Sequence, residues 1–133
     1  LNCANVISEG KDAMLIVCGE MVPYAVEAAA LLKETGIDAG VLDMYCLKPL
    51  DQEAVLKYAG NTKLLVTVEE HSIYGGLGSL VSQLTAEKCP VKVRQIALPD
   101  GHLIPGSNKE VFAYYGMDAK GIAETVKNTL AEG

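Results

Sequence analysis

Apolar and polar residues alternate in short blocks along the whole chain, and the period of the pattern switches repeatedly between strand and helix. Val6-Ile7-Ser8 reads as a short edge strand, and Glu9-Gly10-Lys11-Asp12 turns the chain into Ala13-Met14-Leu15-Ile16-Val17-Cys18. So short a connection predicts an antiparallel pair. The second segment is almost continuously apolar, as expected of a strand covered on both faces. Gly19-Glu20 leads into a helix with Pro23 in its first turn and Gly36 at its carboxyl cap. Its small residues Ala25, Ala28, Ala29 and Ala30 allow close approach to a sheet, and to a second partner on the other side. Ile37 to Met44 is the next strand, and Asp51 caps a short helix through Tyr58 that Gly60-Asn61 closes. Leu64 to Val68 is the clearest buried strand. After it, the glycine loop Tyr74-Gly75-Gly76-Leu77-Gly78-Ser79 opens a helix through Ala86. Val91 to Ala97 is the last strand, Leu98 to Ser107 is loop, and helices at Lys109–Tyr115 and from Asp118 onward finish the chain.

Five strands joined by crossover helices predict a three-layer α/β/α domain. Its sheet is mostly parallel, with one antiparallel edge strand. The 133 residues suit one domain, residues 1–133, that buries roughly two-thirds of its unfolded surface. No repeat or low-complexity stretch divides it.

Composition then removes classes of function. Eleven Lys and Arg against seventeen Asp and Glu leave a net charge of −6 without a basic face, which argues against nucleic acid and anionic membranes. One Phe, six Tyr and no Trp leave little to stack on bases. No apolar run is long enough to span a bilayer, and Leu1 to Asn5 shows no signal-peptide pattern. The four cysteines, at 3, 18, 46 and 89, lack metal-ligand or redox spacing and read as small apolar residues in a reducing, cytoplasmic compartment.

Three groups fall near the carboxyl ends of predicted strands, where open α/β sheets gather ligands. In the first, Glu69-Glu70-His71 precedes Gly75-Gly76-Leu77-Gly78. A carboxylate beside a histidine suits acid–base work, and the amides of a helix start suit an anion. The spacing matches neither a Walker loop nor a dinucleotide fingerprint. The glycines equally serve to let the helix lie close to the sheet or to another subunit. In the second group, Asp100 and His102 lie in a loop that two prolines stiffen, so proton chemistry and plain loop shaping both remain open. The third, Lys48-Pro49-Leu50-Asp51, reads as a capped turn.

Taken in order, several of these stretches resemble one family. They are Ala13 to Glu20, the alanine-rich helix, Leu47-Lys48-Pro49-Leu50-Asp51, Thr67-Val68-Glu69-Glu70-His71 and Gly75-Gly76-Leu77-Gly78-Ser79. Leu98-Pro99-Asp100, Gly106-Ser107 and Tyr115-Gly116-Met117-Asp118 continue the series. From about residue 5 to 131 it resembles the carboxyl-terminal domain of transketolase-type thiamine diphosphate enzymes. That group includes whole and split transketolases, 1-deoxyxylulose-5-phosphate synthase and the beta subunit of 2-oxoacid dehydrogenases. The resemblance implies a five-stranded sheet and a role in assembling a cytoplasmic homo-oligomer of the pentose phosphate pathway. The chain's partners would be the cofactor-binding domains or subunit of the same enzyme. Thiamine diphosphate and Mg²⁺ would bind those domains, which these residues do not include, so the resemblance implies no catalytic, cofactor or metal residue here. Glu70, His71, Gly75, Gly76, Gly78 and His102 are the candidates for the rim of that active site or for an interface.

Overall fold

The computed structural model describes residues 4–45, 50–72, 76–98 and 108–132, with the backbone alone at 71, 72 and 108. Five strands, β1 (Ala4–Ser8), β2 (Ala13–Val17), β3 (Ala39–Met44), β4 (Leu64–Ser72) and β5 (Lys92–Leu98), form one sheet in the order β1-β3-β2-β4-β5. The helices are α1 (Val22–Glu34), α2 (Gln52–Asn61), α3 (Leu77–Lys88), α4 (Asn108–Tyr114) and α5 (Ala119–Ala131). A single 3₁₀ turn, Gly19–Met21, precedes α1; the alternation of apolar residues had no signal for it.

All pairs are parallel except β1 with β3, so the expected mostly parallel sheet with one antiparallel edge strand is present. The edge strand's partner is corrected. β1 does run against β2, but β3 lies between them. Every residue of β2 is fully buried, so it takes the centre of the sheet, whereas β1 is exposed along most of its length and fits only an edge. The short turn must therefore cross one strand, and neighbouring strands are about 4.8 Å apart. Gly10 and Gly40 make that crossing possible. A Cβ on Gly40 would fall 2.5 Å from the Ser8 carbonyl oxygen, and one on Gly10 would strike the Gly40 amide.

Two cores lie on the two faces of the sheet. On one, Leu15, Val17, Val41, Val66 and Val68 meet the 3₁₀ turn, α1, α4 and α5 through Met21, Leu32, Phe112, Ile122 and Val126. On the other, Met14, Ile16, Leu42, Met44 and Leu65 meet α2 and α3 through Val55, Tyr58, Leu77 and Val81. Val26 and Leu31 on the outer side of α1 stay exposed at 42% and 37%.

Local chemistry sets the helix ends. The Gly36 N–H donates to the Lys33 carbonyl and the Ile37 N–H to that of Leu32, a Schellman closure of α1. Asp51 accepts from the Ala54 N–H at 3.1 Å, and Asp118 from the Gly121 N–H at 2.9 Å. The α2 helix runs through the expected stop at Gly60-Asn61, because Thr62 closes it by donating its amide and hydroxyl to the Tyr58 carbonyl.

Candidate functional site at the strand ends

Strand β4 runs on past Val68 to Ser72, so Glu69, Glu70 and His71 form its carboxyl end. Side chains alternate along a strand, which puts Leu65, Thr67 and Glu69 on the face that meets α3. Glu69 is only 2% exposed there, and its Oε2 accepts the Gly78 N–H at 2.9 Å. Gly76, the residue that precedes α3, has no side chain to cap the helix. The carboxylate from β4 takes over that task. It opposes the partial positive charge of the helix start and satisfies one of its free amides. Glycine at 76 leaves room for that carboxylate, because a Cβ would lie 2.9 Å from the Glu69 Cδ and closer still to Oε1.

The expectation that the glycine start of α3 suits an anion thus acquires a specific form: the chain supplies the anion itself. Close packing of α3 on the sheet, the other reading, also holds, because Gly78 lies against the Gln95 side chain of β5. Among the described residues, Thr67 Oγ1 and Glu69 Oε1 are buried without a hydrogen-bond partner.

Neighbouring strand ends add more negative charge. Glu70 Oε1 would be 3.8 Å from a Cβ on Gly19, so its carboxylate stands beside the turn that follows β2. Burial, reinforced by the carboxylates of Glu69, Asp43 and Glu70, pushes the Cys18 thiol up to about 11. Cys18 is half-buried rather than simply part of the core, and it remains a neutral thiol at pH 7. Among the described residues no Lys or Arg forms an ion pair with Asp43, Glu69 or Glu70.

The structure brings Glu70, Gly76 and Gly78 to this strand end, together with the backbone of His71. Gly75, His102, Pro99 to Ser107 and Lys48-Pro49 lie outside the described residues. Glu69, Cys18 and Asp43 complete the site. The sequence does hold a signal for Glu69, since it occupies an inward position of an otherwise apolar strand. For Cys18 and Asp43 it holds none, because they become neighbours only through the β3-β2-β4 order.

The profile of the family described as "Transketolase, C-terminal domain" matches residues 3–122. The chain is 46% identical over 125 residues to one of the subunits of the apulose-4-phosphate transketolase of Phocaeicola vulgatus, covering 94% of this chain and 40% of that protein. It is 44% identical over 123 residues to the 1-deoxy-D-xylulose-5-phosphate synthase of Chlorobium luteolum, covering 92% and 20%. The solved structure of a split-gene transketolase, an inactive beta4 tetramer, superposes with a TM-score of 0.86 at 37% identity. That match covers 96% of this chain and 41% of the other. The chain therefore spans less than half the length of the relatives it matches. With this sheet order and this match over most of its length, the chain belongs to the transketolase carboxyl-terminal domain family.

Proposed function

We propose that this chain is the carboxyl-terminal domain of a split-type transketolase, supporting assembly of a thiamine diphosphate enzyme that transfers a two-carbon ketol unit between sugar phosphates. One observation carries the reading: 46% identity to a transketolase subunit over nearly all of this chain, at 40% of that subunit's length. The remaining length leaves room for the domains that would hold the cofactor. Val26 and Leu31, exposed on α1, leave an apolar surface that an assembly contact would cover, and we take the assembly to be a cytoplasmic homo-oligomer.

The described residues do not fit the cofactor. The helix-start amide of Gly78 is engaged by Glu69, and the carboxylates of Asp43, Glu69 and Glu70 repel a diphosphate. No group of three or more His, Cys, Asp or Glu among the described residues is placed to hold a metal ion. We therefore assign thiamine diphosphate and Mg²⁺ to the other domains of the holoenzyme, and the rim of the site or an interface to Glu70, His71, Gly75, Gly76, Gly78 and His102.

The test is co-expression of the whole protein with its cofactor-binding partner, followed by native mass and assay. Ketol transfer from xylulose 5-phosphate to an aldose phosphate by the assembled complex is the expected result. Activity with pyruvate alone as donor would move the assignment to 1-deoxyxylulose-5-phosphate synthase, a second reading favoured by the 44% identity to such an enzyme.

A further inference from the structure

The outer side of α1 and the adjoining side of α5 enclose a groove of about 310 Å³. Leu31, 37% exposed in the last turns of α1, and the half-buried Ala123 of α5 give it an apolar surface. Glu34, Lys120, Glu124 and Lys127, all exposed, form its charged rim. Lys120, Glu124 and Lys127 recur at intervals of four and three residues, so they make one stripe along α5.

The rim is balanced, two positive charges against two negative, in a chain whose net charge is −6. Ion pairs among the described residues join Lys63 to Asp12, and Lys92 and Arg94 to Glu132, so none of the four rim charges is paired within the chain. Free charges of both signs around an apolar patch suit a contact that brings the complementary arrangement. A two-fold axis brings it automatically, because the same patch then meets itself. Where antiparallel α5 stripes face each other, Lys120 of each copy comes opposite Glu124 of the other. Two copies at −6 repel over most of their surfaces, and a neutral patch is where that repulsion is least. The last turn of α1 lies beside the start of β3, at the amino end of the parallel strands, so a contact here leaves the carboxyl end free for the other domains.

We propose that a second copy of this chain docks on the α1–α5 groove, in a two-fold contact that covers Leu31 and pairs the lysines of each copy with the glutamates of the other. The proposal rests on the homo-oligomer reading above and names its contact surface.

The experiment is sedimentation equilibrium of the whole protein, with thermal melting as the control for folding. The parent associates, and less so as salt rises. Lys120→Glu with Lys127→Glu turns the rim into four glutamates and is expected to weaken association at least about tenfold. Adding Glu34→Lys and Glu124→Lys inverts every sign. A patch that meets itself keeps its pairs opposite, so association returns to within about threefold of the parent. Leu31→Gln, which removes apolar area from both sides of the contact, weakens it about tenfold. Association within about twofold of the parent in the doubly substituted protein overturns the proposal; where that protein does not fold, the same result in Leu31→Gln overturns it. Weakening that full inversion does not rescue overturns it as well, because the groove then meets a different surface. A parent that is monomeric at every concentration refutes the homo-oligomer reading itself, whereas an oligomer indifferent to these charges refutes only this contact.

Discussion

The two ends of the sheet treat their carboxylates in opposite ways. At the amino end of the parallel strands, Glu9, Asp12 and Asp38 each face a donor. The Tyr58 hydroxyl donates to the Glu9 carboxylate at 2.9 Å, the Asp38 N–H to Asp12 at 2.7 Å and the Lys11 N–H to Asp38 at 3.0 Å, and Lys63 lies 3.4 Å from Asp12. The Asp38 amide, aided by Lys63, holds the Asp12 carboxyl below the usual aspartate range, while burial and the Glu9 carboxylate keep Tyr58 protonated up to about 12. At the carboxyl end, Asp43, Glu69 and Glu70 crowd one another around Cys18, and Glu69 lies buried with a single amide partner among the described residues. The first arrangement lowers the energy of the fold. The second leaves a buried carboxylate oxygen without a partner among the described residues, a cost the first arrangement avoids.

The largest predicted effect tests the carboxyl end. Gly76→Ala places a Cβ against the Glu69 carboxylate, whose end has to swing aside and give up the Gly78 amide. Overpacking and the lost charged hydrogen bond together cost about 3 kcal/mol, measured as a lower urea midpoint. A loss below about 1 kcal/mol would mean that the strand end yields easily, and would erase the contrast between the two ends.

A smaller effect is predicted at the stable end. Tyr58→Phe removes the hydroxyl that donates to Glu9, but the exposed Glu9 carboxylate turns back to water, so the loss is about 1 kcal/mol. In a chain of this size that lowers Tm by about 4 °C. On the proposed transketolase reading, ketol transfer by the assembled enzyme should not change, because Tyr58 packs at the opposite end of the sheet. A fall in turnover here would show that the ends are not functionally separate.

The smallest effect in free energy is at Cys18. Its thiol is raised to about 11 by burial and then by the carboxylates of Glu69, Asp43 and Glu70. An ordinary cysteine titrates near 8.5, so at pH 8 alkylation by iodoacetamide should run roughly a hundredfold slower than for a free thiol. The sign for stability follows. The neutral thiol is favoured in the folded state, so its contribution is complete below the free-thiol value. It is lost as pH rises from about 8.5 toward 11. Glu70→Gln should raise the alkylation rate modestly, since Glu70 acts on the thiol less than Glu69 or Asp43 does. No change in rate would place Glu70 away from the thiol.

The sequence by itself determined the features that close within a few residues. Strand and helix periods, the Asp51 and Asp118 caps, the Schellman end at Gly36 and the continuous apolar run of β2 were all legible, because each depends on neighbours within about a turn or on burial of a whole segment. The ordered series of motifs was legible too, and it led to the family. Tertiary structure alone decided who stands beside whom. β1 pairs with β3 rather than β2 because the fully apolar strand claims the centre, and no local signal ranks two strands for that place. Glu69 reaches Gly78 only when α3 settles on the sheet, and Cys18 meets Asp43 and Glu70 only when three strand ends come together. Caps and turns are set by the covalent chain, whereas contacts between layers depend on which buried faces find each other, and that choice is made by packing over the whole domain.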